Sequence, residues 1–161
     1  MKSANRLLAL ILTWIACACA YAQDHTEIPL ARDFTLEAKA AQDKQLPILV
    51  MFGRRNCAFC DQLLKEFLVP MRRNAEYDAK VIMIQVDAGS AAKLRLFSGK
   101  DSTHARFARA NKIQLTPTVK LFDAQGHELV EPLVGLSTPD YYGGFLDQRI
   151  DEALAKVRAG K

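Results

Sequence analysis

Short apolar runs alternate along the chain with amphipathic segments, and this alternation predicts a mixed α/β fold. The runs Pro47–Phe52 and Val81–Val86 are short, apolar and bounded by helix-breaking residues, which is typical of buried strands. A third run, Thr118–Phe122, leads through the turn Asp123–Gly126 into Glu128–Val134, and this succession predicts a hairpin. The sheet is therefore expected to contain four or five strands.

Amphipathic segments predict helices over residues 34–43, 57–69 and 103–111 and from residue 138 onward. Asn56 is a favourable N-cap for the second helix, and Pro70 either ends that helix or opens a further short one. Thr138 is expected to cap the last helix, with Pro139 in its first turn. The apolar face of that helix is expected to consist of Tyr142, Leu146, Ile150, Ala153 and Val157.

A long connection, residues 88–102, separates the second strand from the third helix, and we interpret it as a partly helical insertion. Strand–helix–strand units require parallel pairing, whereas the closing hairpin adds an antiparallel edge. The expected fold is therefore α/β, with a central mixed sheet of four to five strands and helices on both of its faces.

The first 22 residues have the composition of a cleavable export signal. Lys2 and Arg6 precede the apolar stretch 7–18, and Ala20–Ala22 forms a small-x-small cleavage site. The apolar stretch is shorter than a comfortable membrane span. We therefore expect export to the periplasm. The alternatives are an uncleaved anchor and a lipoprotein site at Cys17 or Cys19.

Cleavage after residue 22 of the 161-residue chain leaves 139 residues, which suffices for one domain over residues 23–161. The signal holds two of the 22 basic residues and none of the 18 acidic ones, so the net charge of the exported chain is +2. A nearly neutral chain gives no indication of nucleic-acid binding.

Only Cys57 and Cys60 of the four cysteines remain after cleavage, and they lie at the junction of a strand and a helix. Residues three apart share a helix face, and the helix N-terminus favours the Cys57 thiolate. We predict dithiol–disulfide exchange, in which Cys57 attacks a partner disulfide and Cys60 resolves the mixed disulfide. A structural disulfide would constrain the unfolded chain little because its loop is so short.

A second hypothesis is a metal-binding or metal-delivery protein, in which the same two sulfurs bind Cu(I) or Zn(II), because these metals favour soft thiolate ligands. A closed structural zinc site requires four protein ligands, and only two sulfurs remain in the exported chain. A redox-inert binding module is the third hypothesis. The prediction is therefore that no metal and no cofactor is needed beyond the Cys57–Cys60 pair itself.

Three motifs stand in a fixed order: Cys57–Cys60 after the first central strand, Thr116–Thr118 before the hairpin, and Gly135 after it. In this order the chain, over about residues 34–158, resembles the thioredoxin family. Within that family it is most similar to exported thioredoxin-like proteins of the SoxW kind. The segments that carry this closer similarity are Phe52–Cys60, Thr116–Thr118 and Phe122–Glu128.

The resemblance implies a thioredoxin-like fold and a cis peptide bond before Pro117, beside the two sulfurs. Thr116 and Pro117 would then shape a groove in which an extended peptide pairs with the backbone. The alternative is an ordinary proline at the start of a strand. We expect a monomer that reduces disulfides of periplasmic proteins and takes its electrons from a membrane thiol carrier.

The chain departs from ordinary thioredoxins at three places. Asn56 stands where they have tryptophan, Ala58 and Phe59 replace Gly-Pro between the cysteines, and the strand 48–52 contains no acidic residue. The sequence does not fix the direction of electron flow.

Of the remaining candidates, only Arg54 and Arg55 bear on the chemistry, because their charges would favour the Cys57 thiolate. We expect Phe59 to lie in the core because Leu63 is its i+4 neighbour, although a partner contact is the alternative. Arg54 and Arg55 are expected to form a solvated loop rather than a substrate clamp. The three histidines, His25, His104 and His127, are all expected at the surface.

Overall fold

The computed structural model of the chain describes residues 27–160, so the predicted signal 1–22 and His25 lie outside it. The strands are β1 (Ile48–Gly53), β2 (Ile82–Asp87), β3 (Lys93–Arg95), β4 (Asp101–Thr103), β5 (Thr118–Phe122) and β6 (Leu133–Val134). The helices are α1 (Phe34–Lys44), α2 (Ala58–Leu63), α3 (Val69–Arg73), α4 (Ala75–Asp78), α5 (His104–Ala110) and α6 (Pro139–Arg158). A single π-helical turn, Leu64–Leu68, joins α2 to α3.

The central sheet has the strand order β2-β1-β5-β6. Strand β1 pairs in parallel with β2 and antiparallel with β5, and β5 pairs antiparallel with β6. All six residues of β1 are buried, because strands flank both of its edges and side chains cover both of its faces. The predicted mixed sheet of four to five strands is thus confirmed, with four strands.

Side chains alternate between the two faces of β1 and build a separate core on each. Leu49 and Met51 pack with residues of α2 and α6, whereas Val50 and Phe52 pack with residues of α1 and α5. Helices therefore cover both faces, as predicted. The apolar face predicted for α6 is buried at Tyr142, Leu146, Ile150 and Ala153, and Val157 is partly buried.

Helical turns continue from α2 through the π turn into α3 despite a proline in their path. Pro70 lies in the first turn of α3, so the prediction that it opens a short helix is confirmed. Its missing N–H leaves a carbonyl of the preceding turn without a backbone donor. The wider π turn at this point carries the bond from the Val69 N–H to the Leu64 carbonyl.

Strand β6 is shorter than the predicted strand 128–134. Only Leu133 and Val134 pair with β5 as a ladder, and an isolated bridge joins Phe122 to Glu128. Pro132 has no N–H to donate to a ladder, and this interrupts the pairing between the two segments. The hairpin itself is present, but its second strand is broken.

The prediction of a partly helical connection over 88–102 is wrong, because β3 and β4 form an antiparallel hairpin there. Its turn is closed by the Leu96 N–H, which donates to the Lys100 carbonyl at 2.9 Å, and Gly99 adopts the left-handed conformation with φ 77°. The ring of Phe97 stacks on that of Phe34 with centroids 4.5 Å apart. Packing onto the aromatic core therefore decides the conformation of this segment. That the segment is an insertion into the domain stays a prediction.

Leu94 is the deepest residue of the hairpin, with 1% of its surface exposed. Replacing Leu94 with alanine is expected to lower the free energy of unfolding by about 2–5 kcal/mol, because it removes buried methyl groups and leaves a cavity. The change is measured by urea unfolding. Leu36→Ala is the matched control, since Leu36 is 67% exposed on α1, and a change of about 0.5 kcal/mol or less is expected there. Equal losses in both variants would contradict the packing described.

Candidate functional site

The turn 53–56 carries the chain from β1 into α2 and places the first cysteine. Asn56 adopts the left-handed conformation with φ 58°, which asparagine tolerates better than most residues. Cys57 is the first extended residue after this bend, so the N-cap of α2 is Cys57 and the prediction of Asn56 as N-cap is wrong. The Cys57 Sγ takes the place of a capping oxygen and accepts from the Cys60 N–H at 3.2 Å.

Cys57 and Cys60 form a disulfide in which the sulfurs are 2.05 Å apart and the Cα atoms 5.2 Å apart. The two sulfurs differ in their access to solvent. Cys57 is partly buried, whereas Cys60 is only 2% exposed and belongs to the core between the sheet, α2 and α6. Cys57 is therefore the sulfur that a partner molecule can reach.

Thr116, the residue before Pro117, lies directly beside the outer sulfur. The Thr116 carbonyl oxygen is 3.8 Å from the Cys57 Sγ, and the Thr116 Oγ1 is 3.7 Å from it. The peptide bond between Thr116 and Pro117 is cis, as the resemblance implied, and Pro117 is buried. The Pro117 carbonyl accepts from the Gly135 N–H at 2.8 Å, which fixes this segment to the end of β6.

The surroundings of Cys60 are apolar. Met51 of β1 is fully buried in the same core as Cys60. A methyl group added at Gly53 would stand 3.1 Å from Met51 Cε and 3.6 Å from Cys60 Cβ, so the Met51 side chain would have to shift slightly to admit it. As the sequence indicated, β1 offers Cys60 no carboxylate.

Three large apolar side chains are exposed on segments that adjoin the sulfurs. Phe59, between the two cysteines, is 60% exposed, and Leu115 and Val134 are 55% and 54% exposed. The expectation that Phe59 lies in the core is wrong. Cys60 and Leu63 of the same helix are buried, so the i+4 spacing from Phe59 to Leu63 did not place Phe59 in the core.

Arg54 and Arg55 are exposed, as expected for a solvated loop. The side chain of Arg55 is 89% exposed, and its Nε is 4.0 Å from an oxygen of Asp87. Both arginines precede Cys57 on the turn that positions it.

The expectation that His104 lies at the surface is wrong, because it is 1% exposed. Its Nδ1 accepts from the Asp87 N–H at 3.3 Å, and Asp87 lies opposite Gly53 in the pairing of β1 with β2. His104 therefore supports the end of β2 next to the turn that carries the cysteines. Helical spacing could have revealed it, because His104 precedes the inward residues Phe107 and Ala108 by three and four positions.

Burial lowers the pKa of the His104 imidazole below its ordinary value, against opposing contributions from the Asp87 carboxylate and a hydrogen bond with the Ala31 backbone. The other described histidine, His127, lies at the surface as predicted and pairs with Asp123 at 2.9 Å.

Within residues 27–160, no three histidine, cysteine, aspartate or glutamate side chains converge in a way that could hold a metal ion. In the same part of the chain, no helix combines the length and the apolar character that a membrane crossing requires.

The comparisons with known proteins agree with this geometry. A family model described as a thioredoxin-like domain matches residues 34–150. No curated protein matches the chain.

Three solved structures illustrate the fold. A poplar thioredoxin h is 17% identical and is matched over 71% of this chain and 86% of that one, with a TM-score of 0.51. Malassezia sympodialis thioredoxin is 14% identical over 82% of this chain and 98% of that one, with a TM-score of 0.53. A protein named DsbH oxidoreductase is 14% identical over 85% of this chain and 92% of that one, with a TM-score of 0.53. The predicted thioredoxin-like α/β fold is therefore confirmed.

The lowered pKa of His104 predicts a pH dependence of stability. The fold favours the neutral imidazole, so its contribution is fully present above the unfolded pKa of about 6.5 and is lost as the pH falls through the lower folded pKa. The free energy of unfolding is measured by urea unfolding at several pH values between about 7.5 and 5. His104→Asn is expected to flatten the loss of stability on acidification, whereas His127→Gln serves as the control in an exposed turn. An equally steep loss in His104→Asn and the wild type would contradict this account.

Proposed function

Because the chain belongs to the thioredoxin-like family, we propose that it is a thiol–disulfide oxidoreductase that reduces disulfides in other exported proteins. The observation that carries this proposal is the asymmetry of the sulfur pair. The reachable sulfur, Cys57, caps a helix, and the second sulfur, Cys60, is buried one turn further on. One sulfur is thereby suited to attack a partner and the other to release it.

The exchange proceeds in two displacements. In the reduced protein the Cys57 thiolate attacks one sulfur of the partner disulfide, a new S–S bond forms, and the other partner sulfur leaves as a thiolate that takes up a proton. Cys60 then loses its proton and attacks Cys57 Sγ, which releases the second partner sulfur. Two electrons pass to the partner, and the chain is left with its own disulfide.

The start of α2 supplies the electrostatic support for the first step. The Cys60 N–H already points at Cys57 Sγ, and the first N–H groups of a helix carry partial positive charge. An anion at Cys57 is therefore stabilised before any partner binds. Arg54 and Arg55, three and two residues upstream of Cys57, add positive charge on the same turn.

The partner's peptide is proposed to contact two sets of residues. The first is the backbone of Thr116, which is within 4 Å of the outer sulfur. The second is the set of exposed apolar side chains on adjoining segments, Phe59, Leu115 and Val134. Proline has no N–H, so Pro117 places no backbone donor beside the sulfurs. An extended peptide can pair with the Thr116 backbone and cover the apolar side chains.

Export to the periplasm is part of the proposal, supported by the basic start, the apolar stretch and the Ala20–Ala22 cleavage pattern of the sequence. Membership of the SoxW kind is likewise proposed, from the segments 52–60, 116–118 and 122–128. A monomer that receives its electrons from a membrane thiol carrier completes the proposal, since an exported reductant requires a source of electrons outside the cytoplasm.

Two single-cysteine variants test the proposal. Cys57→Ser is expected to reduce the disulfides of insulin no faster than the reductant dithiothreitol alone, because the attacking sulfur is absent. Cys60→Ser is expected to accumulate a mixed disulfide with insulin, detected as a reducible band on non-reducing gels and by mass spectrometry. Insulin reduction by Cys57→Ser at the wild-type rate would refute the proposal.

A further inference from the structure

A cleft of about 420 Å³ opens beside the outer cysteine and is lined by Arg54, Arg55, Asn56, Asp87 and Gly89. Consecutive Cα atoms are 3.8 Å apart, so the Cα atoms of Arg55 and Cys57 are separated by no more than about 7.6 Å. An extended peptide advances about 3.3 Å per residue. Side chains about two residues from a partner's reacting cysteine can therefore reach this cleft.

The charges that line the cleft favour an anion. Among residues 27–160, no carboxylate forms an ion pair with Arg54. Arg55 has only the distant contact with Asp87, at 4.0 Å. The other oxygen of Asp87 already accepts from the Gly89 N–H at 2.9 Å, so this carboxylate is tied to its own loop. One arginine is unneutralised and the second is weakly neutralised.

We propose that this cleft is a specificity site that selects protein disulfides with an acidic residue about two positions from the attacked cysteine. The inference rests on the proposed function, because the acidic residue arrives only as part of a molecule whose sulfur meets Cys57. Arginine suits the task, since its planar guanidinium remains charged and forms paired hydrogen bonds with carboxylates. The occupant is thus a side chain of the substrate protein, and the apolar residues Phe59, Leu115 and Val134 contact the remainder of its segment.

Three model peptides test the inference. They share one sequence with a single disulfide and carry Glu, Gln or Lys two residues from the cysteine. The second-order rate constant for reduction of each peptide by the reduced full-length protein is measured at low salt. We expect the Glu peptide to react about two- to fivefold faster than the Gln peptide, as exposed ion pairs allow, and the Lys peptide to react slowest. In 1 M NaCl, where the Debye length is about 3 Å, the three rates are expected to converge.

Variants show where such a preference arises. Arg54→Gln/Arg55→Gln is expected to bring the ratio of the Glu to the Lys rate close to one, whereas Asp87→Asn, which removes the opposing charge, is expected to raise it. The ratio is compared within each variant, so a change in the reactivity of Cys57 itself cancels. Arg73→Gln is the matched control, because Arg73 is exposed at the far end of α3, sixteen residues after Cys57.

The outcomes separate the two proposals. Equal rates for the three peptides in the wild type, or an undiminished ratio in Arg54→Gln/Arg55→Gln, would overturn the specificity site and leave the exchange activity standing. Failure of the wild type to reduce any of the peptides, or insulin, would overturn both. A ratio that falls equally in Arg73→Gln would show a general effect of charge and would also overturn the site.

Discussion

The position of Cys57 Sγ at the start of a helix is the constraint on which the site depends. Strand β1 is buried throughout and paired along both edges, so the point at which the chain leaves the sheet is fixed. The left-handed bend at Asn56 then makes Cys57 the capping residue. The Cys60 N–H, which also donates to the Cys57 carbonyl at 2.9 Å, therefore faces a sulfur at the position where helices usually place a capping oxygen.

The remaining parts of the site take their places from the same strand. Phe52, near the end of β1, lies opposite Thr118 in β5, so the start of β5 brings Thr116 and Pro117 to the sulfurs. On the other edge of β1, Gly53 lies opposite Asp87 of β2, and the Asp87 N–H donates a hydrogen bond to His104 Nδ1. The turn with the cysteines is thus supported from both neighbouring strands, and the two arginines on it face the cleft at Asp87.

Features that depend on neighbours in sequence were predictable, and those that depend on packing were not. The apolar run of β1, the Cys57–Cys60 spacing and the Thr116–Pro117 pair are local, and they located the sheet and the site. The hairpin of β3 and β4 packs through Phe97 in its turn on Phe34, which is more than sixty residues away, and spacing along the chain does not reveal such a contact. Asn56 is a good cap by composition, but its positive φ moves the cap to Cys57. Phe59 and His104 were placed on the wrong side of their helices because their exposure follows from helix orientation, which spacing alone left open.

Whether the start of α2 stabilises a thiolate at Cys57 is measured by the pH dependence of alkylation in the reduced protein. Iodoacetamide reacts with thiolates, so the rate at each cysteine, resolved by mass spectrometry of the peptides, reports its ionisation and its access. Cys57 is expected to be modified first, with a midpoint well below the value of ~8.5 for free cysteine, while Cys60 stays protected. A midpoint for Cys57 at or above that of free cysteine, with both sulfurs modified at similar rates, would contradict it.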